Sequence, residues 1–181
     1  MSLRFRPLRR EDFALLAQWL AEPHVERWWR EEHSPAAIEA NYGGAVDGVD
    51  PSEVFVVVRD DEPIGLVQRG RLRDDPEWEQ ALAVAPTPTN AATLDYLIGT
   101  EALLGHGLGG EIIRRFVEDT WTRYPEIAAI VVSVQQDNRR SWRALEKAGF
   151  ERAWAGMVES GDPSDSGPSY VYVQYRRGPE A

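Results

Sequence analysis

A glycine-rich stretch, Leu104–Gly110 (LGHGLGG), is the part of this chain whose composition and position most directly indicate chemistry. It follows Thr93–Ile98, a run of β-forming side chains, and precedes Glu111–Trp121, whose apolar residues recur at helical spacing. A strand, a glycine turn and a helix N-terminus together form a phosphate cradle. Glycines let the backbone approach an anion closely, and the first N–H groups of the helix point towards it. Glycine turns between a strand and a helix are common, so the motif by itself predicts only a candidate phosphate site.

The composition narrows the classes of protein to which the chain can belong. With 181 residues, 43% of them apolar, it is long enough to bury a core, and we expect one domain over residues 1–181. The absence of cysteine excludes disulfides, cysteine metal sites and a thiol nucleophile. The three histidines, at positions 24, 33 and 106, lack the spacing of metal ligands, so we expect no metal.

Charge and hydropathy indicate what the protein binds and where it works. The net charge of −10 argues against nucleic acid and favours a cationic small molecule, although a negative surface can serve solubility alone. No apolar run reaches the roughly 18 residues of a membrane span, and residues 1–7 lack the apolar core of a signal peptide. We therefore expect a cytoplasmic protein with no membrane attachment.

The elements that must position the glycine-rich stretch form an α/β pattern. A hairpin turn is predicted at Asp60–Pro63 and a long irregular segment at Asp74–Ala91. The predicted strands are Leu3–Leu8, Val54–Arg59, Ile64–Leu72, Thr93–Ile98, Ile127–Val134, Phe150–Val158 and Ser169–Arg176. The predicted helices are Glu11–Ala21, a region after Pro23 that carries Trp28-Trp29 and ends near Tyr42-Gly43-Gly44, Glu111–Trp121, and a helix capped by Asn138 that runs through Lys147.

Three landmarks in this order of elements carry a resemblance to a known family. They are the Leu104–Gly110 loop, Asn138 at the start of a later helix, and Glu146–Phe150 at its end. With them the chain resembles the GCN5-related N-acetyltransferase (GNAT) superfamily. Within that superfamily it is similar, over residues 3–176, to the aminoglycoside 6′-N-acetyltransferases. The matching segments are His24–Trp29, Glu62–Gly65, Leu104–Gly109 and Asn138–Arg152.

The resemblance implies a fold and a co-substrate. The fold is a mixed, mostly antiparallel sheet of about seven strands, splayed between strands 4 and 5 and flanked by about four helices. Acetyl-CoA is expected along strand 4, where the pantetheine arm pairs with the backbone and the N–H of Leu97 stabilises the oxyanion. The residues implied in acetyl-CoA binding are Tyr96, Leu97, Ile98, Gly105, His106, Gly107, Leu108, Gly109, Gly110 and Asn138.

The acceptor amine attacks the thioester directly in this family, so the chemistry needs a base and no protein nucleophile. The resemblance implies that Asp95, two residues before the expected oxyanion donor, holds the ammonium and takes or relays its proton. Without the resemblance, Asp95 reads equally well as a solvent-facing residue of a strand.

The acceptor site implied by the resemblance combines carboxylates with aromatic rings, which suit a polycationic sugar. Taken singly, an aromatic residue belongs more often to the core, and Asp75 reads as an ordinary loop aspartate. Trp28 and Trp29 are the better candidates, because adjacent helical residues point about 100° apart and both are not expected to be deeply buried. The implied acceptor-binding residues are Trp28, Trp29, Tyr42, Gln68, Asp75, Trp78, Asp95 and Ser133.

Two positions and one loop depart from the family pattern. Leu145 stands where many members carry a tyrosine that protonates the departing thiolate, so water or another group must do so, or the thiolate leaves unassisted. Ser133 replaces an aspartate of the aminoglycoside enzymes. The loop Glu159–Pro168 is longer than theirs, and Asp162 and Asp165 within it offer compensating negative charge.

Three functions therefore remain open at this stage. The favoured one is acetylation of an aminoglycoside 6′-amine, which confers resistance. The second is acetylation of another amine, such as a lysine-like or hydroxylamine group in siderophore assembly. The third is a CoA-binding domain without turnover. A monomer or small homodimer fits the family.

Overall fold

A computed structural model describes residues 2–176, which form seven strands and six α-helices. The strands are β1 (Leu3–Pro7), β2 (Glu53–Arg59), β3 (Glu62–Arg71), β4 (Ala91–Ile98), β5 (Ala129–Gln135), β6 (Glu151–Met157) and β7 (Pro168–Tyr175). The helices are α1 (Phe13–Leu20), α2 (Pro23–Trp29), α3 (Pro35–Asp47), α4 (Pro76–Leu82), α5 (Leu108–Arg123) and α6 (Arg139–Lys147). Within residues 2–176, no helix has the length and apolarity needed to cross a bilayer.

The strands form one sheet in the order β1-β2-β3-β4-β5-β7-β6, antiparallel except between β4 and β5. These two parallel strands pair only where Ala91–Thr93 face Ala129–Val131. Beyond that point β4 stays paired with β3, and β5 stays paired with β7, so the sheet opens into a wedge. The predicted mixed, mostly antiparallel sheet splayed between strands 4 and 5 is therefore confirmed.

Helices cover both faces of the sheet, and β4 divides its side chains between them. Leu94 and Ile98 pack into a core with α5 and α6, and Tyr96 is partly buried against the same core. Leu97 packs instead into a core with α1, α2 and α3. Because neighbouring strand residues point to opposite faces, Asp95 lies on the side of α1–α3 and Tyr96 on the side of α5 and α6.

A buried arginine ties β3 to β2 and α5 beside the wedge. Arg69 is 5% exposed and forms ion pairs with Glu53 and Asp119, each at 2.6 Å. Its guanidinium also donates to the Thr120 hydroxyl at 3.1 Å and lies against the ring of Phe116. The charge is therefore fully compensated, as a buried ion needs to be.

Two predicted helical boundaries differ from the structure. The region after Pro23 is two helices, because Arg30 adopts a left-handed conformation (φ 53°) that ends α2. Ser34 then starts α3, its hydroxyl accepting the Ala37 N–H at 3.3 Å. Helix α3 also continues beyond Gly44 to Asp47 and ends at Gly48. The hairpin turn is as predicted, with Asp60 and Asp61 both at positive φ.

The segment predicted to be irregular, Asp74–Ala91, contains the short helix α4. Asp75 is its N-cap, with the carboxylate accepting the Trp78 N–H at 3.0 Å, and Pro76 occupies the first turn. The prolines at 76, 86 and 88 predict a loop when only the sequence is considered. Pro76, however, lies in the first turn of α4, where proline is compatible with a helix. The helix positions Trp78 against the core formed with β5 and β7.

Candidate active site

The glycine-rich loop has the geometry of an anion cradle at the start of α5. Gly105 and Gly107 adopt positive φ angles of 84° and 78°, and a side chain at either position would project into open space. Gly107 is the N-cap, and no side chain caps the helix. The first N–H groups of α5 are thus available to a phosphate, while the loop has room for it. These residues fit the pyrophosphate of acetyl-CoA. His106 is exposed at the surface of the same loop.

Gly107→Ala is expected to weaken CoA binding about tenfold. An alanine at this left-handed position costs about 1–2 kcal/mol, which the loop relieves by shifting the amides that face the phosphates. Binding can be measured by calorimetric titration with CoA. Gly48→Ala is the matched control, because Gly48 has a similar φ (72°) and open surroundings but ends α3, away from the loop. Equal CoA affinities for the two variants would contradict the assignment of the loop.

The wedge between β4 and β5 exposes backbone groups of β4 that no strand pairs with. The Gly99 N–H donates to the Ile64 carbonyl of β3 at 2.9 Å, and a side chain at Gly65 would collide with the Leu97 carbonyl oxygen. Alternate residues present their N–H and C=O groups to the same edge of a strand. The Leu97 backbone therefore faces β3, and the amides of Tyr96 and Ile98 face the wedge.

This orientation corrects the predicted oxyanion donor by one residue. The sequence placed the Leu97 N–H at the thioester oxygen, but the strand alternation turns that amide away from the wedge. The N–H groups of Tyr96 and Ile98 are the ones aimed at a ligand there. The Ile98 carbonyl is already engaged, since it lies 2.8 Å from Nε2 of His24, a residue of α2. His24 thus fixes the end of β4 next to the wedge.

Asp95 lies in a cleft of about 1360 Å³ that includes the wedge between β4 and β5. Its carboxylate accepts a hydrogen bond from Gln68 Nε2 at 3.3 Å. Desolvation by the cleft walls raises the pKa of Asp95 from 3.8 to about 6, opposed by the Gln68 hydrogen bond and assisted by the negative charges of Asp165 and Asp162. A carboxylate with this pKa is ionised at neutral pH and basic enough to accept a proton.

Negative charge dominates the cleft around Asp95. Among the described residues that line it, nine carry carboxylates and two, Arg69 and Arg71, carry guanidinium groups. Both arginines are already paired with aspartate or glutamate. The nine carboxylates belong to Glu31, Asp50, Asp74, Asp75, Glu77, Asp95, Glu159, Asp162 and Asp165. A cleft whose low-dielectric walls carry mostly negative charge raises the local concentration of cations. The cleft therefore favours a ligand with several positive charges.

Residues 158–167, here called the acidic loop, join β6 to β7 and bring two of these carboxylates over Asp95. Arg30, at the end of α2, donates to the Pro163 carbonyl at 3.0 Å and to the Ser166 hydroxyl. Gln135, at the end of β5, donates to the Ser164 carbonyl. The loop is thereby held between the strands and helices on both sides of the wedge. Burial raises the pKa of Asp165, as does the charge of Asp162, while the Ser160 hydroxyl bonded to it acts in the opposite direction.

The predicted aromatic residues divide into two groups. Trp28, Trp29 and Trp78 are half-buried and line the cleft. Tyr42 does not line it: the residue is 3% exposed and its hydroxyl donates to Glu31 Oε2 at 2.9 Å. The prediction that Tyr42 contacts the substrate is therefore replaced by a supporting role, in which Tyr42 holds the cleft carboxylate of Glu31.

Three further predicted residues line the cleft. Asp75 does so while its carboxylate caps α4. Asn138 caps α6, its side-chain oxygen accepting the Ser141 N–H at 3.2 Å. Ser133 is on β5, and its hydroxyl is buried without a hydrogen-bond partner among the described residues. All are placed where a substrate or the pantetheine arm can reach them.

Sequence reasoning missed Glu31 and Arg30. Burial raises the pKa of Glu31, opposed by its hydrogen bonds from Tyr42 and Asn41 and assisted by the charges of Asp162 and Asp95. Glu31 is one of several acidic residues in a polar stretch, and no local pattern distinguishes it. The role of Arg30 depends on a segment more than 100 residues later in the chain. Had the end of helix α2 at residue 30 been predicted, that boundary would have drawn attention to Arg30 and Glu31.

Comparison with known proteins places the chain in a family. The acetyltransferase (GNAT) domain family matches residues 9–156, and the chain belongs to it. It is thus an acetyl-CoA-dependent N-acetyltransferase. The chain is similar to the aminoglycoside N(6′)-acetyltransferase type 1 of Klebsiella pneumoniae, with 31% identity over 97% of this chain and 84% of that one. A kanamycin resistance protein of Rhizobium radiobacter is 33% identical over 62% of this chain and 88% of its own length.

Solved structures show the same relationship. The aminoglycoside acetyltransferase AAC(6′)-Ib in complex with coenzyme A and kanamycin matches with a TM-score of 0.81 and 29% identity, over 97% of this chain and 95% of that one. Its complex with paromomycin and acetyl-CoA matches with a TM-score of 0.82 and 28% identity, over 97% of this chain and 94% of that one.

Proposed function

We propose that this N-acetyltransferase acetylates the 6′-amino group of an aminoglycoside antibiotic and thereby inactivates the drug. The observation that carries the proposal is the cleft at Asp95, in which eight other carboxylates and three half-buried tryptophans surround a carboxylate whose pKa is raised to about 6. An aminoglycoside combines several ammonium groups with apolar sugar faces, which match carboxylates and indole rings respectively. The relatives' names and ligands support the same acceptor.

Each part of the site has a task in this reaction. Acetyl-CoA supplies the activated acetyl group as a thioester. The amides at the start of α5 hold its phosphates, and the wedge-facing amides of Tyr96 and Ile98 stabilise the negative charge that develops on the thioester oxygen. Asp95 binds the 6′-ammonium, takes its proton and directs the free amine to the thioester carbon. The remaining carboxylates hold the other ammonium groups of the sugar.

The proposal is tested by thiol release from acetyl-CoA with kanamycin and tobramycin. A matched sugar with a hydroxyl group in place of the 6′-amine is the control acceptor. We expect turnover of the 6′-amino sugars and none of the 6′-hydroxyl sugar. Absence of turnover with every aminoglycoside, despite binding of acetyl-CoA, would contradict the proposal and direct the search to lysine-like amines.

Asp165→Asn is expected to raise KM for kanamycin about fivefold and to leave KM for acetyl-CoA unchanged. The substitution removes one charge that faces Asp95, and a partly exposed ion pair of this kind contributes about 1 kcal/mol. Initial rates at saturating acetyl-CoA measure the effect. Glu62→Gln serves as the control, because it removes one charge from the β2–β3 hairpin, outside the cleft. The same KM change in both variants would indicate a general effect of net charge.

A further inference from the structure

The departing CoA sulfur needs a proton, and Leu145 cannot supply it, because an aliphatic side chain has no acidic proton. Leu145 lies in the second turn of α6 and is fully buried in the core below the wedge. Side chains of a helix lean towards its N-terminus and cover the preceding turn. A tyrosine at position 145 would therefore reach over Ser141, one turn earlier.

The hydroxyl of Tyr96 already occupies that region. It approaches Ser141 Oγ at 3.5 Å, from the opposite wall of the wedge. It also lies at the start of α5, since a side-chain carbon at Gly109 would come within 3.4 Å of it. Tyr96 and Ser141 both line the same cleft as Asp95. The hydroxyl thus stands where β4, the first turn of α5 and the first turn of α6 meet.

We propose that Tyr96 is the proton donor to the CoA sulfur in this enzyme. When the bond between the acetyl carbon and sulfur breaks, the electron pair goes to sulfur, and the O–H of Tyr96 transfers its proton there. The products are the acetylated amine and CoA as a thiol, and the phenolate regains a proton from water near Ser141. The inference rests on acetyl transfer, which the family establishes, and not on the identity of the acceptor.

Two further observations suit this role. The contact with Ser141 is long for an O–H···O hydrogen bond, so the hydroxyl is free to turn towards another acceptor. Burial raises the pKa of Tyr96 above 10.0, opposed by the Ser141 contact, so the phenol keeps its proton at every working pH. Asp95 and Tyr96 project from opposite faces of β4. The base therefore receives the proton of the amine on one side of the thioester, and the donor serves the sulfur on the other.

The first test is Tyr96→Phe, which removes only the hydroxyl. With any primary amine that the wild-type enzyme acetylates, we expect kcat to fall about tenfold to a hundredfold, with KM for acetyl-CoA and the affinity for CoA unchanged. A kcat within twofold of wild type would overturn the proposal. A parallel loss of kcat and CoA affinity would also overturn it, since it would make Tyr96 a CoA-binding residue. If aminoglycosides fail as acceptors, they will fail with the wild-type enzyme as well. That result would bear only on the proposed substrate and not on the role of Tyr96.

The second test moves the hydroxyl back to the position that the family uses. In the double variant Tyr96→Phe/Leu145→Tyr, we expect at least half of the lost kcat to return, because the new tyrosine reaches the same region over Ser141. Leu145→Tyr alone, checked for folding by its thermal stabilisation with CoA, controls for the larger side chain in the core. No recovery in a double variant that folds and binds CoA would argue against proton donation at this place.

Discussion

Asp95→Asn is expected to lower kcat/KM for the acceptor amine about a hundredfold to a thousandfold. The amide cannot take the ammonium proton, and a positioned general base contributes about this much to a rate. The Gln68 hydrogen bond and the cleft itself remain, so the variant should fold and bind CoA as the wild type does. Steady-state kinetics with the acceptor varied measure the loss.

The pH dependence gives the same prediction a second readout. The pKa of Asp95 is raised to about 6, so the active carboxylate form is lost as the pH falls through that value. For the wild type, kcat/KM should therefore fall about tenfold per pH unit below pH 6. Asp95→Asn should lack this limb. Glu62→Gln, which removes a carboxylate outside the cleft, should keep both the rate and the limb. A limb that persists in Asp95→Asn would assign the titration to a different group.

Arg69→Met is expected to reduce the free energy of unfolding by about 1–3 kcal/mol. The substitution removes the buried guanidinium and its charged hydrogen bonds, which contribute about this much, whereas the Glu53 and Asp119 side chains are 25% and 49% exposed and remain hydrated. Urea unfolding followed by tryptophan fluorescence measures it. Arg69→Lys retains the charge but not the fork of donors, so we expect a smaller loss. A loss below 1 kcal/mol for Arg69→Met would show that the ion pairs of Arg69 add no net stability to the fold.

The cost of Arg69→Met should also depend on pH. Burial raises the pKa of Glu53, but the hydrogen bonds from Arg69 and Tyr124 outweigh it and hold the pKa below 4.5. A carboxylate with a lowered pKa in the folded state stabilises the protein above its unfolded pKa, and this stabilisation disappears as the pH falls through the folded value. The difference between wild type and variant should therefore be largest above about pH 5 and shrink below pH 4.5.

Local patterns were sufficient for most of the fold. Alternating and continuous apolar runs marked all seven strands, and Asn138 marked the start of α6 because its side chain can cap only from that position. The turn at Asp60-Asp61 and the glycines of the α5 loop were predictable for the same reason, as each needs backbone conformations that few residues adopt. Helix α4 was missed because its Asp75-Pro76 start lies among residues that usually form loops.

The site was harder to predict, because its geometry depends on contacts distant in sequence. The direction of the Leu97 amide follows from the pairing of β4 with β3, and a shift of one residue reverses it. The burial of Tyr42 follows from the packing of α3 on α1 and β2. Arg30 contacts the acidic loop, although the two are separated by more than 130 residues in the sequence. Residue types predicted the candidates, whereas the positions of the candidates relative to one another depend on the assembled sheet.

The wedge gives the enzyme two specificities that can change separately. In the proposed reaction, the cradle at α5 and the Tyr96 side of β4 serve the acyl donor, whereas α2, α4 and the acidic loop build the acceptor side. None of these acceptor-side segments contributes to the cradle. Exchanging the acidic loop together with Arg30, which anchors it, can therefore alter the preferred amine without changing the binding of acetyl-CoA. A lineage with this architecture can acquire a new substrate by replacing the residues of the acidic loop that follow the buried Val158, and a protein engineer can use the same route.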